Sequence, residues 1–193
     1  MKVEISKQAS LPTEFGRFTI QSFRQHFKQG ESKDHLAIMK GEIGEEINLR
    51  VHSECLTGDA LGSLKCDCRP QLISSLKYIE KNGGMVIYLR QEGRGIGLFN
   101  KINAYALQDE GLNTIEANLE LGFKDDERDY EIVKKILDFY KVKRVRIMTN
   151  NPLKIDAMNK ISSVASRIPI VIDANEFNKE YLHVKAHEMG HIL

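Results

Sequence analysis

The chain has 193 residues, 41% of them hydrophobic and 28% charged, which is enough apolar material for a globular core. Twenty-eight Lys and Arg against twenty-seven Asp and Glu leave a formal net charge of +1, so no global field draws the chain to nucleic acid or lipid, and any anion site must be local. The longest apolar run, Met85 to Leu89, is far short of the roughly 20 residues a membrane span needs. The first residues mix charges and have no apolar stretch, which predicts a cytoplasmic protein without a secretory signal.

Alternating apolar residues predict strands over 17–23, 35–39 and 47–52, separated by the polar or Gly-containing turns 28–33 and 40–44. The N-terminal part therefore reads as mostly antiparallel β. Pro70 opens a helix with apolar positions at Leu72, Leu76 and Ile79, and Asn82-Gly83-Gly84 closes it. A buried strand follows over 85–90, then a glycine loop, then a helix from Phe99 to Glu110 stopped by Gly111. Asp129 is placed to cap a further helix, in which Ile132, Val133, Ile136, Leu137 and Tyr140 form one apolar face. Val145 to Met148 is a short strand, and Pro152 belongs to the first turn of another helix. Residues 168–172 read as a last edge strand, since Pro169 cannot donate to a ladder. No repeat, low-complexity tract or Pro/Ser-rich linker divides the chain. The expected fold is one compact α/β domain over 1–193 with a mixed sheet. Its strands are antiparallel in the N-terminal part, β/α units alternate in the C-terminal part, and a flexible tail begins at about Phe177.

All three cysteines, Cys55, Cys66 and Cys68, fall in one polar loop as C-x10-C-x-C, and an odd number fits no disulfide framework. A free Cys often serves as a small buried hydrophobe, yet these lie beside Asp, Lys and Arg. Thiolates select zinc over hard cations, and three of them leave one tetrahedral position for water, whose pKa zinc lowers towards ~7. A structural zinc would want a fourth ligand, and on spacing alone His52, just upstream of Cys55, is a candidate.

Gln91-Glu-Gly-Arg-Gly-Ile-Gly97 lies between a predicted strand and helix, where backbone N–H groups can face a phosphate and Arg90 and Arg94 add charge. It is not the dinucleotide fingerprint, because position 98 is Leu98, and no Walker-type sequence occurs; a tight turn and a phosphate cradle both remain open. By themselves, Asp125-Asp-Glu-Arg-Asp129 reads as a solvated helix start and Thr149-Asn-Asn-Pro-Leu-Lys154 as a strand-to-helix turn. His187-Glu-Met-Gly-His191 matches the zinc-protease pattern, but Gly190 weakens the helix it needs and little chain follows to shape a cleft, so it is set aside.

Taken in order, Arg50-Val-His-Ser-Glu-Cys-Leu-Thr-Gly-Asp59, Cys66-Asp-Cys68, the glycine loop, Asn103-Ala-Tyr-Ala-Leu-Gln108, Asp126-Glu-Arg128 and Thr149-Asn-Asn-Pro152 closely resemble GTP cyclohydrolase II, from about Leu11 onward. The resemblance implies a homodimer with one catalytic Zn2+ per subunit and Mg2+ on the triphosphate. It implies conversion of GTP to 2,5-diamino-6-(5-phosphoribosylamino)pyrimidin-4(3H)-one, formate and diphosphate, the first committed step of riboflavin biosynthesis, with no nucleic-acid or membrane partner. Residue by residue, it makes Cys55, Cys66 and Cys68 the zinc ligands, leaving His52 off the metal. Arg50, Val51, His52, Ser53, Glu54, Gln71, Glu92, Gly93, Arg94, Thr114, Thr149 and Lys154 match positions that hold GTP. Asp126 matches a proton acceptor, Arg128 a nucleophile, and Tyr105 a residue assisting proton transfer or ring orientation.

Arg94 and Lys154 suit a triphosphate, and a carboxylate such as Glu92 suits the donor edge of guanine. A guanidinium with pKa above ~12 is a poor nucleophile and a good clamp, so Arg128 is also expected to stabilise charge at the α-phosphorus. Gly95 and Arg69-Pro70 depart from some members of that family, at positions expected to carry no chemistry. Two other readings are a zinc-stabilised module that binds GTP without turnover, which has no use for Tyr105, Asp126 and Arg128, and a nucleic-acid-binding zinc protein. Lys141-Val-Lys-Arg144 suggests the latter and the charge balance opposes it.

Overall fold

The computed structural model of the chain describes residues 1–28, 30–124, 126–179 and 182–183. Period-two alternation at the start of the sequence produces antiparallel pairing, as expected. β1 (Lys2–Ile5) and β2 (Ala9–Thr13) both pair with β3 (Gly16–His26), which pairs in turn with β4 (Ser32–Lys40). β5 (Glu46–Ser53), β6 (Gly84–Leu89), β7 (Arg144–Met148) and β8 (Ser163–Ile168) complete one mixed sheet in the order β1-β3-β4-β6-β5-β7-β8. The β4–β6 contact is antiparallel, whereas β5 is parallel to β6 and to β7, and β7 is parallel to β8.

The continuous apolar run of β6 follows from its central position, because a strand covered on both faces has no solvent side to present. Met85, Ile87 and Leu89 join the cluster that receives Ile132, Val133, Ile136 and Leu137 of α4 (Glu131–Phe139). Val86 joins the other cluster, under Leu76 and Ile79 of α1 (Cys68–Asn82). Helices thus cover both faces of the sheet.

The helix boundaries have local causes. α1 starts ahead of Pro70, which occupies the first turn, where a missing N–H costs no intrahelical bond. At its end, Gly83 has φ 69° and returns its N–H to Ile79 O at 2.8 Å. α2 (Gly97–Asp109) begins directly after the glycine loop, earlier than the expected Phe99. Asp129 accepts the Glu131 N–H at 2.8 Å at the start of α4. Asn151 caps α5 (Pro152–Asn159) by accepting from Leu153 N at 2.9 Å.

Several expectations change. β1 and β2 precede the first expected strand at Arg17. α3 (Thr114–Glu120) is a helix that the chain-order reading lacks, although Asn113 and Glu116 form a capping box that the sequence carries. The final strand is Ser163–Ile168 rather than 168–172, because the ladder stops where Pro169 offers no N–H. Beyond it, the Asn150 side chain replaces a neighbouring strand by binding both the carbonyl and the N–H of Ile170. The H-E-x-x-H segment and most of the tail after Phe177 lie outside the described residues.

Candidate active site

Because β5, β6 and β7 run parallel, their carboxyl ends share one edge of the sheet, where the chain must leave each strand in a loop. A cavity of about 620 Å³ opens at this edge. β5 and its continuation supply Arg50, His52, Ser53, Glu54 and Cys55, and the loop after β6 supplies Glu92, Gly93 and Arg94. The turn after β7 supplies Thr149, with Lys154 from α5. Cys66, Cys68, Gln71, Tyr105, Thr114 and Arg128 complete the wall, so the cavity gathers every expected site residue except Val51 and Asp126. Val51 is buried in the core, where its carbonyl accepts the Lys154 ammonium at 3.0 Å. Asp126 stands behind Arg128.

The three thiols converge. A π-helical turn, Leu56–Ala60, follows Cys55, and Cys68 is the first residue of α1. The three Sγ atoms lie within 4.8 Å of one another, and Cys55 Sγ is 3.7 Å from Cys66 Sγ. Zn–S bonds of about 2.3 Å at tetrahedral angles require sulfurs ~3.8 Å apart, so this pair already has the edge length of such a site. Gly58 makes the convergence possible, since a Cβ there would fall 2.7 Å from Cys66 Sγ and 3.1 Å from Cys55 Sγ. Without a metal, thiol hydrogen bonds from Cys66 and Cys68, helped by Lys101, hold Cys55 as the thiolate. The same sharing with Cys55 pushes the Cys66 thiol up to about 11 and Cys68 well above its ordinary value. A divalent cation is the natural means of ionising all three.

His52 is not part of that convergence. Its Nε2 is 3.1 Å from Asp59 Oδ2, and Asp59 also accepts the Cys55 N–H at 3.1 Å and the Tyr88 hydroxyl at 2.8 Å. The His52 ring stacks on Tyr88, and burial lowers its pKa, keeping the imidazole neutral. Arg50, also on β5, donates to Met148 O at 2.9 Å and to Gln71, and burial pulls its pKa down to about 10. His52 Nδ1, Arg50 Nε and Ser53 Oγ are buried polar atoms with no hydrogen-bond partner among the described residues.

The glycine loop is a 3₁₀ turn, Glu92–Gly95, in which Gly93 and Arg94 both take φ 60°. Left-handed backbone at a non-glycine costs about 1–2 kcal/mol, and here it accompanies a cationic side chain lining the cavity. Glu92 does not offer its carboxylate freely to a ligand. It accepts Leu56 N at 2.6 Å, Gly93 N at 3.0 Å and the Lys101 ammonium at 2.8 Å, tying the glycine loop to the cysteine loop. Gly95, expected to be without consequence, packs against Glu127: its φ is +102° and a Cβ would stand 2.9 Å from Glu127 O. The Glu127 N–H donates to Arg94 O at 3.0 Å, so this contact fixes the glycine loop beside the segment carrying Asp126 and Arg128. Arg128 holds Asp126 through Nε at 2.8 Å and through Nη2. Burial would raise the Asp126 carboxyl, but the Arg128 hydrogen bonds outweigh it and keep the pKa below the ordinary value.

A family model described as GTP cyclohydrolase II matches residues 4–169. The chain belongs to the GTP cyclohydrolase II family. It is 60% identical over 193 residues to a GTP cyclohydrolase-2 of Campylobacter hominis, covering 100% of this chain and 97% of the relative. Identity to a GTP cyclohydrolase-2 of Helicobacter pylori strain J99 is 57%, covering 100% of this chain and 99% of that one. The chain is accordingly an enzyme of GTP hydrolysis in riboflavin biosynthesis.

For a GTP cyclohydrolase II, three residues at the site are ones that sequence reasoning misses: Gly58, Asp59 and Lys101. Gly58 and Asp59 stand inside the cysteine motif without an evident role. Lys101 carries a weak signal, since Lys101, Ala104, Tyr105 and Gln108 share one helical face, and all four line the cavity.

Proposed function

We propose that the chain consumes three waters per GTP: one opens the imidazole ring of guanine, one expels the ring carbon as formate, and one cleaves the α–β phosphoanhydride to release diphosphate. The organic product is 2,5-diamino-6-(5-phosphoribosylamino)pyrimidin-4(3H)-one. The observation that carries this reading is the tri-thiol cluster, with its 3.7 Å Cys55–Cys66 edge, in the wall of a cavity that also holds Arg94, Arg128 and Lys154. Cys55, Cys66 and Cys68 would hold one zinc, which supplies Lewis acidity towards water, the nucleophile that ring opening uses.

The remaining residues bind and orient. Arg50, His52, Ser53, Glu54 and Gln71 line the cavity together with the thiols, Val51 contributes by holding Lys154 through its carbonyl, and the orphaned atoms of Arg50, His52 and Ser53 suit the heteroatom edges of a purine nucleoside. Glu92 and Gly93 act by holding the loop that presents Arg94. Thr114, Thr149 and Lys154 complete the GTP pocket, with Mg2+ on the triphosphate. Tyr105, whose hydroxyl is 3.4 Å from Thr57 Oγ1, would assist proton transfer or orient the ring during its opening. An Asp126 already ionised and paired with Arg128 reinforces the guanidinium charge, which supports Arg128 as a clamp on the α-phosphate. Domain extent over 1–193, a homodimeric state and a cytoplasmic location belong to the same proposal. Among the described residues, no helix is long and apolar enough to cross a membrane.

The test is to incubate purified protein with GTP and Mg2+ while following formate, diphosphate and ultraviolet absorbance together. Formate and diphosphate in equal amounts support the reading. GTP binding with no formate would replace it with a non-catalytic GTP-binding module.

A further inference from the structure

Lys101, on α2 and 9% exposed, directs its ammonium at three partners: Glu92 Oε1 at 2.8 Å, Thr57 Oγ1 at 2.9 Å and Cys55 Sγ at 3.1 Å. An ammonium has three protons, so this one has no donor left for a ligand in the cavity it borders. Its charge acts on protein atoms. One of those is a sulfur of the thiol cluster, and another belongs to the carboxylate that anchors the glycine loop. The third, Thr57 Oγ1, must accept from Lys101, which turns its own proton towards Tyr105 Oη at 3.4 Å or Cys55 Sγ at 3.7 Å.

Three thiolates around a divalent zinc carry a net charge of −1, and sulfur is a generous electron donor. A centre of that kind is a weaker Lewis acid than one built on neutral imidazoles, unless something withdraws density from the sulfurs. We propose that Lys101 is a positioning residue that withdraws electron density from Cys55 Sγ, raising the acidity of the metal held there, while binding Glu92 and the glycine loop to the same ligand. The inference rests on the reading of the cysteines as a metal site. Glu92, which accepts from the ammonium at 2.8 Å, is the counter-charge that offsets burying Lys101 at this depth.

Cobalt tests this on the full chain. Cobalt in the wild-type site gives a sulfur-to-metal charge-transfer band whose energy reports how tightly the sulfur lone pairs are held. Lys101→Met and Lys101→Gln both remove the positive charge, and Gln keeps a neutral donor. Both should bind cobalt and shift that band to lower energy, because the lone pairs of Cys55 are no longer stabilised. Formate release in the zinc forms should fall roughly 10–100-fold, through kcat more than KM for GTP. Lys101→Arg, which keeps the charge, should hold the band nearer its wild-type position. A band unmoved in both the Met and Gln variants, or formate release at the wild-type rate in either, would overturn the proposal. No charge-transfer band in the unaltered, cobalt-treated protein is a different result, and would overturn the metal reading itself.

Discussion

Gly58→Ala isolates one cause of the metal binding proposed for the thiol cluster. The new methyl group would stand 2.7 Å from Cys66 Sγ, 3.1 Å from Cys55 Sγ and 3.3 Å from Cys68 Cβ. Ordinary contacts between such atoms are about 3.5–4.0 Å, so the closest approach is roughly 1 Å too short. The backbone offers no competing explanation, because Gly58 lies outside the left-handed region, and alanine in a helical turn is ordinarily favoured by about 0.5–1 kcal/mol. Overpacking of this kind costs about 1–3 kcal/mol, and the cost falls on the state whose sulfurs are fixed by metal bonds. In the metal-free chain the Cys66 thiol can rotate away. The zinc dissociation constant should therefore rise about 5- to 150-fold, by the factor of ten per 1.4 kcal/mol. Competition against a chromophoric chelator measures it directly. Thermal melts should show the zinc-loaded variant losing more stability than the chelator-treated one. A dissociation constant within about twofold of wild type would refute the claim that the missing side chain shapes the thiol cluster.

On the proposed division, in which the metal serves the ring and the arginines the phosphates, Cys66→Ser should abolish formate release while leaving part of the phosphoanhydride cleavage; strictly parallel loss in a folded, GTP-binding variant would disprove it. Arg128→Lys removes a two-point hold on Asp126, and with charged hydrogen bonds at about 1.5–3 kcal/mol, diphosphate release should slow roughly 10- to 150-fold at unchanged zinc content. A labelled phosphoryl group trapped on Arg128 after rapid quench would defeat the clamp in favour of a covalent role. His35 is fully buried, its Nδ1 accepting from Arg90 N at 3.1 Å, and burial holds its pKa at about 4 against 6.5 for the free side chain. Between those values the unfolded chain binds a proton that the folded chain lacks, so stability should fall as pH drops from 6.5 to 4, by about 3 kcal/mol. His35→Gln should flatten that part of the melting-temperature profile, and equal slopes for both proteins would contradict it.

Some of these features are legible in the amino-acid sequence alone. The apolar face of α4 and the unbroken run of β6 are written in local periodicity, because each residue's burial follows from its neighbours at fixed spacing. Ligand types are equally plain, since three cysteines in one polar loop admit few chemistries. The late edge strand lies a few residues earlier than its sequence suggests, because Pro169 ends a ladder as readily as it tolerates an edge.

What stays hidden depends on distance in sequence. Lys101 looks like any helical lysine until the fold carries it to Cys55, 46 residues away, and Gly95 looks idle until Glu127 arrives against it. A local stretch of chain encodes its own dihedral preferences and which side it buries. The partner it meets is chosen by the packing of the whole sheet, here by β5 lying parallel between β6 and β7 so that their ends open together. Composition and motif determined the kind of chemistry this protein can perform; only tertiary structure decided which charges stand beside the sulfurs and which line the rest of the cavity.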